Sequence, residues 1–99
     1  MSEPSSEEAG RRIDKWLWCA RRFKTRSLAA RFVAEHGARV TRDFVTQRVE
    51  KPGFQLRVGD DVSYLLDDRL IVLSVLGFAE KRGSAEAAKR LFADRTPQA

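Results

Sequence analysis

The residues best suited to chemistry in this 99-residue chain are its bases, and they are concentrated. Between Arg11 and Arg57 stand thirteen lysines and arginines against four acids, leaving +9 on that stretch, although the whole chain carries a formal charge of only +5. Residues 1–10 hold three acids and no base, and residues 58–99 hold six bases against seven acids. A field this localised attracts a polyanion, and RNA, DNA and an acidic membrane surface all fit. Arg11, Lys15 and Arg22 recur at helical spacing, together with Trp18, opposite an apolar stripe of Ile13, Trp16, Leu17 and Ala20. Lys24, Thr25, Arg26 and Ser27 follow where a second helix should begin. A helix start offers unpaired amides and partial positive charge, so this corner is a natural phosphate seat. Arginine adds a rigid fork of donors that grips phosphate oxygens in pairs. A face kept charged only for solubility would mix signs, and here acids are nearly absent. Trp18 is open to two readings: stacking on an unpaired base, or cover by the last helix or the tail.

Other chemistries lack their residues. One cysteine, Cys19, and one histidine, His36, fall short of the four ligands of a structural zinc site. As a nucleophile and base they are less convincing than as a small helix-flank residue and a helix end. No glycine-rich phosphate loop is present. Asp60, Asp61, Asp67 and Asp68 lie in two turns, where acids ordinarily bond local backbone rather than a metal. No catalytic set and no cofactor is expected.

The elements that must position the bases can be read from periodicity. Residues 1–10, with Pro4, Glu3, Glu7 and Glu8, read as a disordered acidic tail. A helix begins near Arg11, and Arg21 to Lys24 form a basic link whose Phe23 turns into the core. Thr25 caps a second helix bearing Leu28, Ala29, Phe32, Val33 and His36 on one face, and Gly37 stops it. Short strands follow at Arg39–Thr41 and Val45–Val49, and Pro52-Gly53 and Gly59-Asp60 are turns. Alternation at Val62, Tyr64 and Leu66 leads through Asp67-Asp68 into a buried strand from Arg69 to Leu76. Ser84 caps a final helix carrying Ala85, Ala88, Leu91 and Phe92. The whole is one α+β domain: two N-terminal helices on a small, mostly antiparallel sheet, with a C-terminal helix. The domain proper spans residues 11–76, and residues 77–99 form a loop and helix packed on it. The longest apolar run is too short to cross a bilayer. Without a basic, apolar leader and with one cysteine, the chain is expected in the cytoplasm.

The run Arg12-Ile13-Asp14-Lys15-Trp16-Leu17, then Lys24-Thr25-Arg26, Ala29, Val33, Gly37, Val40, Lys51-Pro52 and Gly59-Asp60, resembles the RNA-binding domain named after small-subunit ribosomal protein S-four, the alpha-L RNA-binding motif. Within that group, Asp14 to Trp18, Lys24-Thr25-Arg26 and the tail from Arg82-Gly83 to Leu91-Phe92 are similar to the fifteen-kilodalton heat-shock protein family. The resemblance implies a ribosome-associated binder of large-subunit rRNA on subunits that still carry a nascent chain, with peptidyl-tRNA as a further partner, in ribosome rescue. Carried over by position, the RNA-binding residues are Arg12, Lys15, Lys24, Thr25, Arg26, Arg31, Arg48 and Lys51. Arg11, Trp18 and Arg22 are added from charge and face alone. The family's tight Asn-Gly turn is missing from Thr41 to Thr46, so a wider loop with Phe44 at its tip is expected. Two alternatives stay open: the recognition module of an RNA-modifying enzyme, and a DNA-binding helix pair. A monomer is expected.

Overall fold

Helix α1 (Ile13–Cys19) forms because its apolar residues recur at helical spacing, and Ile13, Trp16 and Leu17 are all fully buried. This is a computed structural model, and it describes residues 11–97; the expected acidic tail lies outside the described residues. The chain before α1 is extended: Arg12 makes an isolated antiparallel bridge with Gln55, so Arg11 stands off the helix rather than on its face. At the other end, Arg21 adopts a left-handed conformation (φ 60°), and the amides of Arg21 and Arg22 return to the carbonyls of Trp18 and Leu17. This is a Schellman closure with arginine where glycine is usual. The Arg21 guanidinium donates to the Gly83 carbonyl (2.9 Å) and helps hold the strained position.

Helix α2 (Arg26–His36) starts as expected, with Thr25 Oγ1 accepting from the Leu28 amide at 3.0 Å. It stops at Gly37, whose φ of 79° and ψ of 163° suit only glycine. Ala29 and Val33 are buried, but Leu28 and His36 are exposed, so the apolar stripe is narrower than the sequence suggests.

Five strands follow: β1 (Ala38–Arg42), β2 (Val45–Val49), β3 (Asp61–Leu66), β4 (Arg69–Val75) and, after a short helix α3 (Ala85–Ala88), β5 (Phe92–Asp94). They form one antiparallel sheet in the order β2-β1-β3-β4-β5. Val40, Val62, Tyr64, Leu73 and Val75 point into one core with the helices. Phe23 joins that core as expected, stacking near Phe32 and Tyr64. Arg39, Thr41 and Ser63 alternate outward.

Two expectations are corrected. The Thr41–Thr46 stretch is not a wide loop. Arg42 pairs with Val45, leaving a two-residue turn in which Asp43 (φ 52°) and Phe44 (φ 66°) are both left-handed. Asp67-Asp68 makes the same kind of turn without glycine. The right-handed twist of paired strands selects this turn, and the ladder outweighs the local strain. Phe44 does stand fully exposed at the tip. The second correction is the last helix. Ser84 caps it, accepting from the Ala87 amide, but it runs only four residues. Leu91 ends it with its carbonyl taking the amides of Leu76 and Gly77, and Phe92 pairs with Val75 as a strand. The unpaired edge of β4 supplies ladder partners that outweigh helical spacing. No described helix is long and apolar enough to cross a membrane.

Candidate nucleic-acid interface

Asp14 organises the basic corner. It sits in the first turn of α1 and is 3% exposed, yet it is a charged residue, so it must be paired. Arg12 meets it with two parallel bonds, Nε to Oδ1 at 3.2 Å and Nη2 to Oδ2 at 3.1 Å. Arg26, from the start of α2, approaches the same carboxylate at 3.7 Å. The Lys15 amide donates to Oδ1 at 2.7 Å. One buried acid thus fixes two arginines from different elements, while their side chains stay 39% and 42% exposed. Each retains donors for a further anion.

The loop Lys51–Phe54 completes this edge. Carbonyls of Pro52 and Phe54 accept the Asp14 and Ile13 amides, closing the start of α1 with Lys51 exposed at the beginning of the loop. A Cβ on Gly53 would lie 3.6 Å from the Arg12 guanidinium carbon, so the loop backbone flanks that side chain. Lys24, Thr25 and Ser27 are exposed at the entry to α2. The Thr25 hydroxyl is occupied by capping, which leaves the amides of Arg26 and Ser27 at the helix start as the donors for a phosphate.

Electrostatics at Cys19 show the same convergence. Burial raises its thiol pKa above the ordinary value, opposed by the positive charges of Lys15, Arg26 and Arg82. Three cations from α1, α2 and the C-terminal segment therefore lie around one point. Cys19 itself is buried, with its thiol turned to the Ala79 carbonyl, as a packing residue rather than a nucleophile.

The expected basic face is divided by the fold. Arg12, Arg26 and the Lys15 amide meet at Asp14, Lys24 and Thr25 are exposed just before Arg26 in sequence, and Lys51 is exposed at the start of the loop whose Pro52 carbonyl takes the Asp14 amide. Arg31 lies farther along α2, 3.9 Å from Glu35. Arg48 lies on β2, 3.2 Å from Glu50. Arg11 and Arg22 do not join Lys15 on one helical face: Arg11 lies over the Phe78 ring (5.3 Å) and Arg22 over Phe92 (5.7 Å). The reason is the early end of α1, which turns Arg22 toward the sheet, where its positive charge opposes the rise that burial causes in the Tyr64 hydroxyl pKa. Trp18 is half-buried, and its carbonyl accepts the Arg82 guanidinium at 3.2 Å.

Sequence reasoning missed Asp14 and Arg82 as positioning residues. Asp14 stood within the basic run, and an acid near a helix start flanked by arginines is a readable signal. Arg82 stood in the Arg82-Gly83 motif, but its positioning role left no local signal, because it reaches Trp18 and Phe23 across more than fifty residues. Arg42, counted among the bases, is consumed structurally: it bonds buried Asp60 with both Nε (2.8 Å) and Nη2 (2.6 Å). Among the described residues no group of histidine, cysteine and acids could hold a metal ion.

No family model matches the sequence. A heat shock protein 15 homolog from Aeromonas salmonicida is 35% identical over 92 residues, which is 93% of this chain and 66% of that protein. The trimeric structure of Vibrio cholerae heat shock protein 15 superposes with a TM-score of 0.66 at 29% identity, covering 84% of this chain and 79% of that one. The chain is related to the heat shock protein 15 family. It spans 66% of the curated relative it matches, and the shared α+β fold includes the helix pair that carries the basic corner.

Proposed function

We propose that the chain is an RNA-binding, ribosome-associated protein that acts by binding rather than catalysis. The observation that carries this reading is the pairing of Arg12 and Arg26 on buried Asp14 beside exposed Lys24 and the start of α2. That arrangement presents forked donors, a point charge and helix amides to one anion. Kinship with heat shock protein 15 supports the ribosomal setting and a stress-related role. Its finer form is recognition of large-subunit rRNA on subunits carrying a nascent chain, with peptidyl-tRNA as a second contact, in cytoplasmic ribosome rescue.

Co-sedimentation with purified large subunits, with and without peptidyl-tRNA, tests this at about 50 and 200 mM salt. Preferential binding to loaded subunits supports rescue; equal binding supports a general rRNA binder. Changing Lys24 and Arg26 together to Ala should lower affinity for structured RNA. It should also flatten the slope of log affinity against log salt by about 2. An unaltered slope removes the corner from the interface, and equal competition by duplex DNA argues against RNA specificity.

A further inference from the structure

We propose that the outer face of the sheet is a second RNA-contact surface, a groove in which Arg39 and Arg48 take the backbone phosphate of an unpaired strand. This rests on the RNA-binding reading above but uses residues on the face away from the Asp14 corner. The β1–β2 register sets Arg39 directly opposite Arg48. Like charges in that position repel, and a cross-strand pair of this kind destabilises a sheet. Among the described residues no carboxylate pairs with Arg39, and Arg48 meets only Glu50, with both side chains mostly exposed. Such a surface pair has little net strength and yields readily to a better anion. Two cations held side by side without a shared acid break a local rule of sheet design, and breaks of this kind concentrate at binding sites.

The surroundings fit a nucleotide. Both arginines line a groove of about 590 Å³, of the size ordinarily used for small ligands. The Arg48 guanidinium lies over Gly37, where an added Cβ would stand 3.1 Å from Nε; glycine thus leaves the room that the arginine occupies. Beside Arg39 the floor continues across the register to Ser63 and then Val72. Leu65 and Leu70, paired across β3 and β4, are exposed along the same groove and offer an apolar surface for a base or ribose. The acid in the groove, Asp61, is held by the Ser74 hydroxyl at 2.6 Å, and Ser74 in turn receives Arg95 at 2.8 Å. Its charge is therefore partly met from β4, on the side of β3 away from β1. With the first corner on the helices and this groove on the sheet, one small domain would grip two RNA segments at once.

The test is titration of the isotope-labelled full chain with an oligouridylate of about twelve nucleotides, read by backbone amide shifts. Shifts at Arg39, Ser63 and Val72 are expected, and they should persist when Lys24 and Arg26 are both changed to Ala. Changing Arg39 and Arg48 together to Gln should lower the salt slope for this single strand by about 1.4 and weaken binding. Because those changes relieve a like-charge contact, the urea midpoint should be unchanged or higher. R39K/R48K, which keeps charge and loses the forks, should retain the salt slope but bind less tightly. Shifts confined to Lys15 and residues 24–27, with the slope unaffected by R39Q/R48Q, would overturn the groove and leave the RNA reading intact. Absence of any RNA binding overturns both. Groove shifts on titration with polyglutamate but not with oligouridylate overturn the proposal by assigning the face to an acidic protein partner.

Discussion

Asp14 is the residue on which the proposed interface turns, and charge alone gives the wrong sign for its role. An acid beside a polyanion site should weaken binding, so removing it should help. The structure argues the reverse, because the carboxylate holds Arg12 in a two-point bond and draws Arg26 to the same place. Asp14→Asn is therefore expected to lower RNA affinity although it adds a positive unit to the corner. It should also destabilise the fold by about 1–3 kcal/mol, toward the lower end because both arginines are part-solvated. Fluorescence anisotropy and a urea melt on the same variant separate the two effects; tighter binding would refute the positioning role. Asp60 shows the contrasting use of the same chemistry. It is buried, bonds Arg42 twice, and accepts the Arg57 amide at 2.8 Å, so that ion pair belongs to the fold rather than to a ligand.

Among the elements, the hairpins carry the strain. Asp43-Phe44 and Asp67-Asp68 both close two-residue turns with four left-handed, non-glycine residues. Aspartate tolerates that conformation better than a bulky aromatic does. Phe44 is fully exposed, so it recovers nothing by burial. Phe44→Gly should thus raise stability by about 1 kcal/mol, seen as a higher urea midpoint with an unchanged slope. A loss of stability would mean that the β1–β2 register does not have this turn. The corner between the helices is built by the same compromise: Arg21 occupies a glycine conformation and is tied to Gly83. That early closure of α1 turns Arg22 into the molecule and leaves Lys24 at the surface.

At the scale of the whole molecule, buried protonated groups set the alkaline limit. Burial raises the Cys19 thiol above its ordinary 9.0 and the Tyr64 hydroxyl above its ordinary 10.0, against opposition from neighbouring cations. As pH rises, the unfolded chain releases these protons first, while the folded chain still holds them. The folded form then binds more protons, and stability falls with rising pH. The contribution is complete below about pH 9 and is lost through the raised folded values. Urea midpoints should hold steady up to about pH 9 and fall by pH 10.5, and C19A with Tyr64→Phe should flatten that fall. An unchanged decline in the double variant would place the alkaline limit elsewhere. The charge distribution is the other whole-molecule property: several of the thirteen bases between Arg11 and Arg57 serve the fold. Arg42 is bound by Asp60, while Arg11 and Arg22 lie over aromatic rings, so the effective phosphate grip is smaller than the net charge implies.

The α+β class, the two helices, the Thr25 cap, the Gly37 stop and the run of charge from Lys24 to Arg26 are legible in the order of the residues alone. These are local properties: helical spacing, a side-chain oxygen within reach of its own helix, a backbone angle open to glycine, and charge on adjacent residues. The resemblance carried by Asp14 to Trp18 pointed to the same kinship that the comparison over 92 residues found. The features that the residue order does not show involve partners distant in the chain. Leu91 and Phe92 have helical spacing, yet the open edge of β4 takes them as a turn and a strand. Thr41 to Thr46 lacks a turn signature, yet strand pairing on both sides enforces a tight hairpin. Arg39 and Arg48 read as unrelated bases until the register sets them opposite each other. In each case a backbone or a charge is assigned its role by a neighbour that the local sequence does not contain, because unpaired strand edges and buried charges must be satisfied wherever the fold supplies a partner.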